Sequence, residues 1–144
     1  MGKPITPEQL ARNDNEDGHQ MALFCQAALH REQYPQLEWM HAIPNGGSRH
    51  QYEATKLVGA GTRKGVFDIF LPNAVYWQNS LNCPKYHGLY IEMKAPKRRN
   101  EKNGGLSQDQ IEFMTYAVVA GYKCVICYTW IEAWNEILKY LNGE

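Results

Sequence analysis

A chain of 144 residues, 44% hydrophobic and 21% charged, has the size and composition of one globular domain with its own core, which excludes disorder along most of its length. Fifteen lysines and arginines balance fifteen aspartates and glutamates, so the molecule has no overall field to capture nucleic acid, and such contacts must come from a local basic patch. No apolar run approaches the roughly 20 residues needed to span a bilayer, and Met1 to Pro7 lacks the apolar stretch of a signal peptide.

Residues 1–14 read as a flexible polar arm. A helix is expected from about Asn15 to Arg31, with Met21, Leu23, Phe24, Cys25, Ala27, Ala28 and Leu29 on a broad apolar face and Glu16, Asp17, His19 and Gln20 in its first turns. Beyond Pro35, Leu37 to Ile43 reads as a strand with Leu37, Trp39, His41 and Ile43 on one side. Pro44-Asn45-Gly46-Gly47 is a turn signal, and residues 49–58 read as a helix leaving at Gly59 and Gly61. Gly65 to Leu71 is a strand that stops at Pro72. An asparagine-rich connection, 73–86, carries Tyr76 and Trp77 to the next strand, Gly88 to Lys94, which Pro96 closes. A basic loop then runs to Gly104-Gly105.

Two capping boxes mark later helix starts, Ser107-Gln-Asp-Gln110 and Thr129-Trp-Ile-Glu132. The first helix ends at Gly121 and shares Ile111, Met114 and Val118 on one face. The second buries a stripe of Ile131, Trp134, Leu138 and Leu141. A strand over 122–128 lies between them. Helix, strand, helix, two strands, helix, strand, helix is the order of a single α/β domain with a central mixed β-sheet flanked by helices.

The chemistry concentrates on Asp68 and on Glu92-Met93-Lys94. Side chains alternate along a strand, so Glu92 and Lys94 share a face and Met93 takes the other. Asp68 joins them if the two strands pair in register. Two carboxylates and an ammonium are costly to bury without a partner or a use. A divalent cation held by the carboxylates, with the lysine beside a reacting phosphate, accounts for all three. Nearby, Lys97, Arg98, Arg99 and Lys102 extend a basic patch from Lys94, and Arg63 and Lys64 precede the Asp68 strand. Their placement beside the acidic pair points to phosphate contacts.

Four cysteines are present. Cys124 and Cys127 have the spacing of half a zinc site, but a strand sends their sulfurs to opposite faces, so they read as buried structural thiols. His41 and His50 flank the Asn45-Gly46 turn and read as structural histidines. Tyr76 and Trp77 read as interface or core rings before base-stacking ones.

Asp on one strand and Glu-x-Lys on the next resembles the PD-(D/E)XK nuclease superfamily. The ordered set Ile43-Pro-Asn-Gly46, Gly65-Val-Phe-Asp68, Gly88-Leu-Tyr-Ile-Glu-Met-Lys94, Leu106-Ser-Gln-Asp-Gln110 and Gly121-Tyr122 resembles a VRR-NUC domain, over about residues 16–141. Phe67 stands where that pattern often has a proline, which is not a ligand. The resemblance implies a restriction-endonuclease-like core and metal-dependent hydrolysis of phosphodiesters. It implies that Asp68, Glu92 and the backbone carbonyl of Met93 hold Mg²⁺ or Mn²⁺. Lys94 would orient water or stabilise transition-state charge. Glu16 corresponds to the family's helical acidic residue, with Asp17 close enough to be confused with it. Gln110 matches the glutamine after the motif, although its capping box alone explains it. Asn45 and Gly46 would approach DNA through backbone, or simply make the turn.

Stand-alone domains of this kind resemble dimeric Holliday-junction resolvases. The expectation is a homodimeric, structure-selective DNA endonuclease acting on four-way junctions, with no membrane association. By analogy its setting is the cytoplasm of a bacterial or phage-infected cell. Trp130, Trp134, Tyr140, Tyr76 and Trp77 are candidates for an apolar dimer face. A flap or single-strand repair nuclease, a non-catalytic DNA-binding module on the same fold, and a zinc or thiol protein using Cys124 and Cys127 stay open.

Overall fold

A computed structural model describes residues 2–44 and 51–144. Its helices are α1 (Pro7–Leu10), α2 (Glu16–Leu29), α3 (Gln51–Gly59), α4 (Gln108–Val119) and α5 (Trp130–Leu141). Its strands are β1 (His41–Ala42), β2 (Ile69–Leu71), β3 (Val75–Trp77), β4 (Ser80–Tyr86), β5 (Leu89–Met93) and β6 (Lys123–Cys127).

The main sheet has the order β1-β2-β5-β6, and β3 and β4 form a separate two-stranded sheet. β5 pairs antiparallel with β2 and parallel with β6, so the sheet is mixed and the connection through α4 is a crossover. Leu89, Ile91 and Met93 project from β5 into a core with Leu23 and Ala27 of α2 and Ala133 and Ile137 of α5. Full burial of each such aliphatic side chain contributes roughly 1.5–3 kcal/mol. The other face, under α4, is aromatic: Tyr90 stacks on Phe70 at 4.4 Å and meets Phe113 edge-on at 5.0 Å.

The structure departs from the sequence reading at several elements. Residues 1–14 are not all arm: Thr6 and Gln9 form a reciprocal capping box that starts α1, and α1 packs on α2. A Cβ on Gly18 would sit 2.7 Å from the Leu10 carbonyl oxygen, so the contact needs glycine there. Residues 35–39 form a 3-10 turn in place of a strand. Proline at its first position favours that turn, which buries Leu37 and leaves Trp39 74% exposed. Only His41–Ala42 pairs with β2.

The 73–86 connection is the β3–β4 hairpin, irregular in register and therefore without a clean alternation. On α2, Met21 and Leu29 face out, and on α4, Val118 does. On α5 the buried residues are Ala133, Trp134, Ile137 and Tyr140, while Ile131 is exposed. Because α5 lies against both the sheet and α2, its buried arc is rotated from the stripe that the largest side chains suggest. Trp134 and Tyr140 are thus core residues and cannot furnish a dimer face. No described helix is long and apolar enough to cross a membrane.

Candidate active site

The site forms where the ladder between β2 and β5 ends. Ile69 opposes Ile91, and one further step in the same antiparallel register sets Asp68 opposite Glu92, on the α4 face of the sheet. Asp68 lies just outside β2, shorter than the strand read over Gly65–Leu71. Its Oδ2 accepts the Met93 N–H at 2.9 Å, so a carboxylate takes a bond that a backbone carbonyl would take in a continued ladder. The N–H and C=O of one strand residue point to the same side, which aims the Met93 carbonyl at the edge where Asp68 sits. On the other side the Lys94 N–H donates to the Cys127 carbonyl at 2.9 Å, and the Ile43 N–H donates to the Asp68 carbonyl at 2.7 Å.

Glu92 is 1% exposed and Lys94 5%. Lys94 Nζ is 3.3 Å from Glu92 Oε1, and Gln110 Nε2 donates to the same oxygen at 2.5 Å. Glu92 Oε2 is buried and has no hydrogen-bond partner among the described residues. Burial, then the charge of Asp68, push the Glu92 carboxyl up to about 8, with Lys94 pulling the other way. An orphaned carboxylate oxygen in the interior is expensive unless something cationic meets it.

Asn15 caps α2 by accepting the Gly18 N–H at 2.7 Å, and Glu16 follows in the first turn. Burial and then the charge of Asp68 raise the Glu16 pKa, while Lys94 and Arg98 lower it. Glu16 is therefore part of the same electrostatic cluster, whereas Asp17 is exposed. Ser107 and Gln110 form the expected reciprocal capping box of α4. The Gln110 side chain serves both ends: its Oε1 accepts the Ser107 N–H at 2.9 Å while its amide nitrogen holds Glu92.

A cleft of about 430 Å³ opens beside Lys94, bounded by Arg98, Lys102, Ser107 and Gln110. Lys97 and Lys102 are exposed on the two 3-10 turns that follow β5. Arg63 and Lys64 are exposed before β2, and Lys64 pairs with Asp109 in the first turn of α4 at 3.4 Å. Basic groups thus lie on both sides of that turn. Arg98 pairs with Glu101 at 2.9 Å. Arg99 is tied down more firmly, paired with Glu132 and lying 4.5 Å over the Tyr128 ring, so it fastens the basic loop to α5. Asn45, Gly46 and His50 lie outside the described residues.

His19 was not singled out by its position in the sequence, since one polar residue in a helical turn carries no periodic signal. It is buried; its Nδ1 accepts the Trp130 N–H at 3.1 Å and its Nε2 donates to Asp14 Oδ1 at 2.6 Å. That tautomer clamps α2, one turn past Glu16, to the start of α5. Tyr76 and Trp77 lie on the hairpin inserted between the end of β2 and the start of β5, at the opposite end of the sheet from Asp68 and Glu92. Cys124 and Cys127 are free thiols, pushed up by burial to about 11 and about 12, a poor state for ligating metal.

Among the described residues no three His, Cys, Asp or Glu side chains converge as a ready-made ion cage. The donors available to a hard cation are the Asp68 and Glu92 carboxylates and the Met93 carbonyl, with Glu16 behind them. That set fits Mg²⁺ or Mn²⁺, which take few protein oxygens and keep several waters, and it would give the orphaned Glu92 oxygen its partner.

No family model matches the chain, and comparison with curated proteins finds no match. A solved structure of a VRR_NUC domain protein is similar to it, with a TM-score of 0.63 and 21% identity over 89% of this chain and 88% of that one. The chain therefore has a VRR-NUC-like fold, with a mixed central sheet flanked by helices.

Proposed function

We propose that this protein is a Mg²⁺- or Mn²⁺-dependent, structure-selective DNA endonuclease that cuts four-way junctions as a homodimer. The observation that carries the reading is Glu92: one oxygen is held by Lys94 and Gln110, and the other is buried without a partner, beside Asp68. The nuclease-domain fold of the structural neighbour supports it.

Asp68, Glu92 and the Met93 carbonyl would hold the ion, with Glu16 completing its surroundings. A bound divalent cation supplies Lewis-acid polarisation of a phosphate and a more acidic water. Lys94, fixed by Glu92, presents an ammonium to the charge that grows on the phosphate oxygens. Lys97, Arg98 and Lys102 on one side and Arg63 and Lys64 on the other bind the flanking phosphates. Contacts of this kind read the shape of DNA and not its sequence. The two-fold symmetry of a homodimer matches that of a four-way junction; the buried Trp134 and Tyr140 lend this part no support.

The test is cleavage of junction, flap and linear duplex substrates by wild type and Lys94→Ala side by side, with and without Mg²⁺ or Mn²⁺. Junction cutting that needs the ion and falls roughly 10²- to 10³-fold in the variant is expected. Equal cutting of all three substrates removes the selectivity. Junction binding with no cleavage under any divalent ion removes the catalysis.

A further inference from the structure

A second cavity, of about 720 Å³, lies between the β3–β4 hairpin and the C-terminal end of α5. It is larger than the cleft beside Lys94 and sits at the other end of the sheet. We propose that it binds an unpaired nucleotide, a base stacked on Trp77 and Tyr76 with its phosphate at Lys85.

The cavity is built and not an accident of a loose loop. The Tyr140 hydroxyl donates to the Asn73 carbonyl at 2.6 Å, and Lys85 Nζ donates to the Gly143 carbonyl at 3.2 Å. These bonds fix two of its walls to α5. Consecutive strand residues normally point to opposite faces. Here the β3–β4 register shifts between Val75 and Tyr76 and again between Tyr76 and Trp77, and both residues line the cavity. Such irregularities re-aim side chains. Trp77 is 53% exposed and Tyr76 45%, so both present aromatic surface that a base can cover.

The rest of the lining matches a nucleotide's chemistry. Lys85 Nζ lies over one face of the Trp77 ring, 5.1 Å from its centre, a cation–π contact that holds the ammonium against the indole. Among the described residues no carboxylate side chain lines the cavity, so no lining side chain repels a phosphate. Gln36, Asn73, Gln78, Asn79 and Asn142 supply amides, each both donor and acceptor, as base edges require. The volume is within the range of small-molecule sites. A neutral sugar could use the rings and amides, but it would bring no anion to the Lys85 ammonium, which bonds only a neutral carbonyl, that of Gly143, among the described residues.

This rests on the DNA reading, since a base released where strands exchange at a branch point would fill the site, yet it does not need cleavage to be true. The experiment is a fluorescence titration of a labelled oligothymidylate in EDTA. Wild type should bind, and Trp77→Ala should weaken binding about 10- to 100-fold, with Trp77→Phe retaining most of it. Lys85→Gln should lower the slope of log affinity against log salt by about 0.7. Unchanged affinity in Trp77→Ala, or displacement of the oligonucleotide by maltohexaose, overturns the site. Trp77-dependent binding by a protein that cuts no substrate upholds the site and sinks only the nuclease reading.

Discussion

Gln110 holds Glu92 through its amide nitrogen at 2.5 Å while its carbonyl oxygen accepts the Ser107 N–H at 2.9 Å. One side chain therefore starts α4 and orients the acidic residue of the central strand. Gln110→Ala removes both bonds and should lower stability by about 1–2 kcal/mol as well as activity. Gln110→Glu separates the two effects. Glutamate suits the capping position, so thermal unfolding at low pH, where the carboxyls are protonated, should change little. A second carboxylate against Glu92 should nevertheless move the pH–rate profile to higher pH. A Gln110→Glu enzyme with an unmoved profile would show that the contact with Glu92 is incidental.

Glu92 makes stability depend on pH in an unusual direction. Its carboxyl is pushed up to about 8 by burial and by Asp68, against about 4.3 for an unperturbed glutamate. Between those values the folded protein keeps a proton that the unfolded chain has lost. Stability from this group is therefore present below the lower value and falls as pH rises through the window. Thermal melts in a chelator should show Tm declining from pH 5 to pH 8, and Glu92→Gln should flatten the decline. Ion binding needs the charged form, so Mn²⁺ affinity should rise toward about tenfold per pH unit below pH 8. Calorimetry in buffers of different ionisation enthalpy should register proton release; its absence at pH 7 would contradict a protonated resting Glu92.

What the sequence made legible is local. Alternation along one strand is enough to put Glu92 and Lys94 on one face, and the capping box at Ser107 and Gln110 is readable from two residues. Features set by tertiary packing were not. The Gln110–Glu92 bond joins a helix to a strand that the chain does not place side by side. His19 acquires its role only when Trp130 arrives 111 residues later. The β3–β4 hairpin hides because its register shifts break the alternation. Leu37 to Ile43 alternates well enough to mimic a strand, yet the proline at position 35 and the need to bury Leu37 produce a 3-10 turn. On α5 the choice between neighbouring arcs depends on α2 and the sheet, which no window of α5 records.

Gly65 is where the site's geometry rests on a missing side chain. Its φ is +94°, and a Cβ there would lie 2.5 Å from the backbone oxygen of Asp109. The first turn of α4 can thus press against the entry to β2, which brings Gln110 to Glu92. Gly65→Ala meets both left-handed strain, about 1–2 kcal/mol, and overpacking, about 1–3 kcal/mol. Denaturant unfolding should show a loss on the order of 2–5 kcal/mol, the sum of those two ranges. A loss under 1 kcal/mol would mean that the α4 contact yields easily and does not set the position of Gln110.

His19 links the same cluster to the opposite layer. Its Nδ1 takes the N–H of Trp130, one of the first-turn donors that α5 cannot satisfy internally. His19→Ala orphans that N–H in the interior at a cost of about 1–3 kcal/mol. For a domain of this size that is a fall in Tm of roughly 2–12 °C at about 2–4 °C per kcal/mol. Asparagine keeps an acceptor near the Nδ1 position, so His19→Asn should recover part of the loss. Because Glu16 is one turn away on α2, the alanine variant should also bind Mn²⁺ more weakly than His19→Asn when both are measured well below their melting temperatures. Equal affinities would confine His19 to holding α2 against α5 and leave the placement of Glu16 to the Asn15 cap.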